Sequence, residues 1–463
     1  MTELHYASLG DVCARIKSGE TTSVQVTETL LERIGRLEGE LHAYAMVLAD
    51  EALETAARLD KARADGQPLG LLHGVPVALK DLLFTKGLAT ASGTRVMADF
   101  IPDEDATVVA RLREAGAVVI GKTQLTEGAY GVHHPDIEAP KNPWDPERWP
   151  GVSSSGSAVA VAAGLAYGAL GSDTGGSIRF PSASCGIVGL KPTYGRVSRH
   201  GAFPLAESLD HIGPMTRTVA DAARMLQAIA GVDPRDPTSL NEPVPNYGAA
   251  LAERLAGLKV GVDWDYVERG VETVVADTIR DALAALKSLG AEVIEIVMPE
   301  SYQTLVAQWG ITCGVECASA HRNYYPAQKS LYGPVLADLI ELGLHPPEGV
   351  YAALERTRGV FAEALNKLFD KVELLISPCM PYLPPGTEGI MELANDPERA
   401  NGLTFTAPFD YSGHPTLSLP AGLSRERLPK SFQLIGPWLG EPVLIGAGSA
   451  FETATGFREH PIP

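Results

Sequence analysis

The stretch from Gly151 to Thr193, GVSSSGSAVAVAAGLAYGALGSDTGGSIRFPSASCGIVGLKPT, holds eight serines, and glycines flank two of their clusters. A Ser/Gly loop is the plain reading of such a composition. The flanks here are strongly apolar, so the serines belong to the interior, and buried hydroxyls need partners or a task. Asp173-Thr174-Gly175-Gly176-Ser177 suits a nucleophile beside an oxyanion hole. Its glycines let the backbone turn sharply and leave N–H groups unshielded next to the serine.

A serine nucleophile needs a base. His133, His134, His200 and His211 are available, but none sits in a recognised local signature. The G-x-S-x-G elbow is absent, because Gly151-Val152-Ser153-Ser154-Ser155 fails at its last position. A lysine can replace histidine where an apolar pocket disfavours its ammonium form. Lys80 ends the run His73 to Leu79, apolar apart from His73 itself. Two readings of Lys80 stand at this point: a buried base, or an ion pair with Asp81 or another carboxylate.

The elements that must position these groups alternate. Thr22 to about Ala64 is helical in pattern, with Thr22-Ser23 as a cap and Val24, Val26, Leu30, Leu31 and Ile34 as an apolar face. A short apolar run spans Gly74 to Leu83, a helix Ala106 to Ala115, and a buried strand Ala117 to Ile120. His133 to Ser157 forms a long loop, a place where function concentrates. Ala158 to Ala169 reads as a tightly packed helix. Strands at Leu258–Val262, Ala291–Val297 and Val372–Ser377 and a helix at Val271–Gly290 follow. This alternation means an α/β protein, read as a single domain over residues 1–463.

The net charge of −19 argues against nucleic acid and against anionic membranes. The five cysteines (13, 185, 313, 317 and 379) form no disulfide framework. Cys313 and Cys317 share a helix face and read as buried thiols rather than a metal pair. No window reaches the roughly 20 apolar residues of a membrane span, and the N-terminus lacks the pattern of a signal peptide. The expected location is cytoplasmic.

Three ordered motifs, HGVPVALKD, PGVSSSGSA and GSDTGGSIRFPSASCGIVGLKPTYGRVS, resemble the amidase signature family. ATVVARLREAGAVVIGKT, SLDHIGPMTRTVADAA and TAPFDYSGHPTLSLPAGL extend the resemblance over most of the chain, from about Ser23 to Phe451. It implies a large mixed β-sheet covered by helices on both faces, with a variable substrate-pocket helical region at about 302–370. It implies Ser177 as the acylated nucleophile, Lys80 as the base, and Ser153 as the bridging serine on a cis peptide bond. Ser154 is the second choice for the bridge. N–H groups near Thr174, Gly175 and Gly176 match the oxyanion hole. The chain departs from the family where GGSSGG becomes GVSSSG, placing Val152 and Ser155, and where GKTN becomes GKTQ, placing Gln124.

The chemistry so implied is hydrolysis of a small-molecule amide, anilide or carbamate without metal or cofactor, by a monomer or homodimer. Neutral Lys80 takes a proton through Ser153 as Ser177 attacks the carbonyl. Backbone N–H groups hold the oxyanion, a donor typically contributing about 3–4 kcal/mol. Ser153 then protonates the leaving nitrogen, and water releases the acid. For this relay the Lys80 amine must lie within roughly 3 Å of the Ser153 hydroxyl, which in turn approaches Ser177.

Two alternatives differ in class. The same motifs occur in the glutaminase-type subunit of a tRNA amidotransferase, which works with a partner. Gly116 to Thr123 satisfies the G-x-x-x-x-G-K-[ST] phosphate-loop pattern, but its variable positions read as a buried strand preceded by a helix, the wrong order for an NTPase. His133-His134 has no common metal spacing, and Trp144 and Trp149 either line an entrance or anchor the loop.

Overall fold

The computed structural model describes residues 3–252, 254–387 and 399–462. Eleven strands form one sheet: β1 (Tyr44–Val47), β2 (Pro76–Lys80), β3 (Val118–Thr123), β4 (Gly168–Asp173), β5 (Val188–Lys191), β6 (His211–Thr216), β7 (Lys259–Val262), β8 (Glu292–Glu295), β9 (Leu374–Ser377), β10 (Thr416–Leu423) and β11 (Pro429–Ile435). Their spatial order is β1-β3-β2-β4-β6-β5-β10-β11-β9-β7-β8. The sheet is mixed: β2 runs parallel to both β3 and β4, β7 to both β8 and β9, and the remaining pairs are antiparallel.

The central strands are buried along their whole length, as in PVALK of β2 and VVIGKT of β3. Strands covered on both faces read as continuous apolar runs, which is why these two were visible in the sequence. The parallel trio β3-β2-β4 matters most for the site. Ligands in such sheets gather beyond the carboxyl ends of the strands, and Lys80 and Asp173 end β2 and β4.

Two sequence expectations are corrected. The helical segment from Thr22 to Ala64 is two helices, Ser23–Leu41 and Ala49–Ala64, divided by β1. The first begins with a capping box between Thr22 and Gln25 and stops at His42, which is left-handed (φ 49°). β1 then pairs antiparallel with β3, Tyr44 opposite Thr123, a non-local partner that no helical periodicity could reveal. The helix expected over Ala158–Ala169 spans Ser155–Ala162, and its tail is replaced by β4. Gly171 in β4 explains the tightness there: a Cβ at this position would meet Ser154 Oγ at 2.9 Å. Glycine lets β4 approach the serine turn.

The region 302–370 is helical, with helices Tyr302–Ala307, Trp309–Ala320, Pro334–Leu344 and Val350–Leu368. Among the described residues no helix is long and apolar enough to cross a membrane.

Candidate active site

Lys80 is fully buried. Its Nζ lies 2.6 Å from Ser153 Oγ, 2.8 Å from Ser154 Oγ and 2.9 Å from Ser172 Oγ. Burial lowers its pKa to about 7, against the opposing pull of the Asp173 and Asp210 carboxylates. A neutral amine donates two hydrogen bonds and accepts one, so three serine hydroxyls can satisfy it. Asp81 does not pair with Lys80. It lies 2.9 Å from the buried Lys122, which also donates to Thr90 Oγ1 at 2.9 Å. Across the parallel pair β2–β3, Leu79 is in register with Lys122 and Lys80 with Thr123. Adjacent strand residues point to opposite faces, so the two lysines serve different sides of the sheet.

Ser153 follows a cis peptide bond, Val152–Ser153. It is buried, as is Ser154, which precedes the helix Ser155–Ala162. Ser154 N–H donates to Ser177 O at 3.3 Å, tying the serine turn to the segment after β4. Ser177 borders a cavity of about 360 Å³ together with Val152 and Gly175. Among the described residues the Ser177 hydroxyl makes no hydrogen bond, so the expected approach of Ser153 to Ser177 is not a formed bond. Hydrogen bonds of this kind often tighten only around a substrate.

One expected oxyanion donor is already engaged. Gly176 N–H donates to Asp173 Oδ1 at 2.6 Å, so the contribution assigned to Gly176 is corrected: its N–H holds the loop. Gly176 has φ 131°, a conformation that suits glycine. The amides of Gly175 and Ser177 have no acceptor among the described residues. Asp173 also accepts from Ile178 N–H at 3.0 Å and from Arg179 through Nε at 3.0 Å and Nη2 at 2.8 Å. Arg179 Nη2 reaches Asp410 Oδ2 at 2.7 Å, and all three side chains are fully buried. Burial alone would raise the Asp173 pKa, but the Arg179 guanidinium outweighs it and holds this carboxyl well below the usual range. Burial pushes Asp410 up, and the neighbouring Asp173 charge adds to that push.

The cavity wall is aromatic and aliphatic. Tyr130 stacks on Trp309 with centroids 6.1 Å apart, and Trp149 tilts against Phe180 at 6.2 Å. Met380, Tyr382, Val335 and Leu403 complete much of the lining. Trp149 thus lines the cavity, whereas Trp144 anchors the loop, donating from Nε1 to Cys185 O at 2.9 Å.

The remaining candidates make no side-chain hydrogen bond with Lys80, Ser153 or Ser177 among the described residues, although His211 Nδ1 lies 3.5 Å from Asp410 Oδ1. His133 Nε2 is 3.2 Å from Ser155 Oγ, and burial lowers its pKa to about 4. His134 Nδ1 accepts from Asp136 N–H. His200 meets Glu104, and His211 donates from Nδ1 to Leu209 O. Gln124 joins its backbone to Ala43 and Gly156. Cys313 and Cys317 are buried on the helix Trp309–Ala320. The phosphate-loop pattern falls on β3, and its lysine is taken by Asp81.

Sequence reasoning missed Ser172, the Asp173–Arg179–Asp410 cluster, Trp309 and Thr406. Arg179 carried a signal, being a charge inside the apolar-flanked serine stretch. Trp309 Nε1 donates to Thr174 O at 3.1 Å across 135 positions, and Thr406 Oγ1 donates to Gly175 O at 2.6 Å across 231. No local pattern marks either.

The profile of the Amidase family matches residues 25–445. AmiD of Mycobacterium tuberculosis, itself a candidate amidase, is 45% identical over 457 residues, covering 98% of this chain and 95% of its own. A glutamyl-tRNA(Gln) amidotransferase subunit from Moorella thermoacetica is 41% identical over 482 residues, covering 98% of both chains. The solved structure of a bacterial aryl acylamidase of the amidase signature family superposes with a TM-score of 0.88 at 26% identity, covering 98% of this chain and 97% of that one.

Proposed function

Because this chain belongs to the amidase signature family and is an amide hydrolase, we propose that it works through an acyl-enzyme on Ser177, with Lys80 as base and Ser153 as relay, on amides whose acyl or amine part is apolar and aromatic. The observation that carries this reading is the Lys80 amine, fully buried and 2.6 Å from Ser153 Oγ, with its pKa lowered to about 7. A neutral amine at the end of β2 can accept the proton that a serine must lose. Gly175 and Ser177 supply the oxyanion N–H groups in this reading, and Thr174 the adjoining backbone.

The aromatic lining favours rings and aliphatic chains. Glutamine would bring an α-ammonium and an α-carboxylate, which need charged partners on burial, and the described lining residues are uncharged. We therefore favour a free-standing amidase over an amidotransferase component. Carbamates remain within its reach, since they present the same carbonyl. The protein acts, in this reading, as a single domain, monomeric or homodimeric, with no cofactor, nucleic acid or membrane.

A hydrolysis panel of an anilide, a primary aryl amide, glutamine and an aryl carbamate tests it, using the isolated protein without ATP. Turnover of the anilide or aryl amide, unchanged by a chelator, is expected. Turnover of glutamine alone, or a strict need for a partner, overturns it.

A further inference from the structure

We propose that Trp309, contributed by the helical region 302–370, is a positioning residue that sets the oxyanion loop while forming the wall against which substrate packs. The inference rests on the reading of Ser177 as the acylated serine.

The peptide planes of the loop carry the constraint. The Thr174–Gly175 bond is not among the cis bonds of the chain, so its carbonyl and its N–H point in opposite directions within one rigid plane. Fixing Thr174 O therefore fixes the direction of Gly175 N–H. Trp309 Nε1 donates to Thr174 O at 3.1 Å in a buried setting, and among the described residues it is the donor to that oxygen. The next plane is held at both ends without Trp309: Thr406 Oγ1 donates to Gly175 O at 2.6 Å, and Gly176 N–H donates to Asp173 Oδ1 at 2.6 Å. The first plane alone depends on the indole.

The ring is also seated for this task. A Cβ at position 175 would meet Trp309 Cζ2 at 2.8 Å, so only glycine admits the indole this close. Tyr130, stacked at 6.1 Å and 15°, backs the ring within the cavity wall. A substrate ring packed on Trp309 thereby presses on the group that aims Gly175 N–H. Donors aimed in advance at the developing oxyanion act mainly on the transition state.

The test replaces Trp309 by 3-benzothienylalanine, which keeps the bicyclic shape and lacks the N–H, with Trp309→Phe as a second variant. Since loss of a direct oxyanion donor lowers kcat by about a hundred- to a thousandfold, loss of its positioning is expected to lower kcat for an anilide at least about tenfold. KM should stay within about twofold, and an arylboronic acid, whose tetrahedral adduct mimics the oxyanion, should bind at least about tenfold more weakly. The midpoint of the pH–rate profile should not move, because Lys80 is untouched. Wild-type kcat and boronate affinity in the benzothienyl variant overturn the proposal, as does a rise in KM with kcat unchanged, which would make Trp309 a wall only. Failure of the Ser177 reading is separate: Ser177→Ala would then keep its activity.

Discussion

The amine of Lys80 and the hydroxyl of Ser153 lie 2.6 Å apart, and neither side chain is exposed. The pair joins the end of β2 to the cis turn before the helix Ser155–Ala162. In water an amine of this kind is a cation near neutrality. Here burial lowers its pKa to about 7, so an appreciable fraction is a free base.

The pH dependence follows with its sign. The relay needs the neutral amine, and the ammonium form dominates below the lowered pKa. Activity should therefore rise with pH through about 7 and level off above it. One unit below the midpoint, the rate should be about a tenth of the plateau. Lys80→Ala should lose about a hundred- to ten-thousandfold in kcat, and Lys80→Arg should not restore it, because a guanidinium stays protonated. Rate profiles from pH 5 to 9 check this; a near-normal Lys80→Arg enzyme would sink the role of the base.

Ser177→Ala should abolish turnover and prevent covalent labelling by a fluorophosphonate. The measurement is intact-protein mass after exposure to the probe. Full labelling with activity intact would place the nucleophile elsewhere.

Three serines touch Lys80, and only one is read as the relay. Ser153→Ala should reduce kcat by about a hundred- to ten-thousandfold, the range of general acid–base catalysis. Ser172→Ala, on β4, should cost about tenfold or less, since it removes one hydrogen bond that orients the amine. Ser154→Ala separates the two candidates for the bridge: a loss as large as that of Ser153→Ala, with Ser153→Ala mild, would move the relay to Ser154.

Arg179 is wedged between two buried carboxylates. Arg179→Met removes the guanidinium paired with both Asp173 and Asp410, a change that typically costs about 3–5 kcal/mol. Denaturant midpoints for the wild type and the variant should show the loss directly. An unchanged midpoint would mean that the cluster contributes no net stability.

Much of the site was legible because its signals are local. Lys80 closes an apolar run, and Ser177 closes a glycine turn, so residue type and near neighbours suffice to raise both. The fold class was legible for the same reason, since β3, β7 and β9 announce themselves as apolar runs. β1 was hidden inside a helical pattern, and β4, built from GALGSD, carries too few branched residues to look like a strand. β6 was not expected either, because it owes its pairing to β4 and β5, and neither was the antiparallel pair β10–β11.

Residue types and local spacing already offer the chemistry: a lysine that burial would neutralise, a serine beside flexible glycines, and motifs that tie them to one family. Which contacts those groups make depends on how the chain packs. The packing gave Asp81 to Lys122 and left Lys80 to three serines. It engaged the Gly176 amide with Asp173. It brought Trp309 and Thr406 onto carbonyls of the loop before Ser177. Burial and hydrogen-bond direction depend on neighbours in space, and most of those neighbours are far along the chain, from 73 positions between Lys80 and Ser153 to 231 between Gly175 and Thr406.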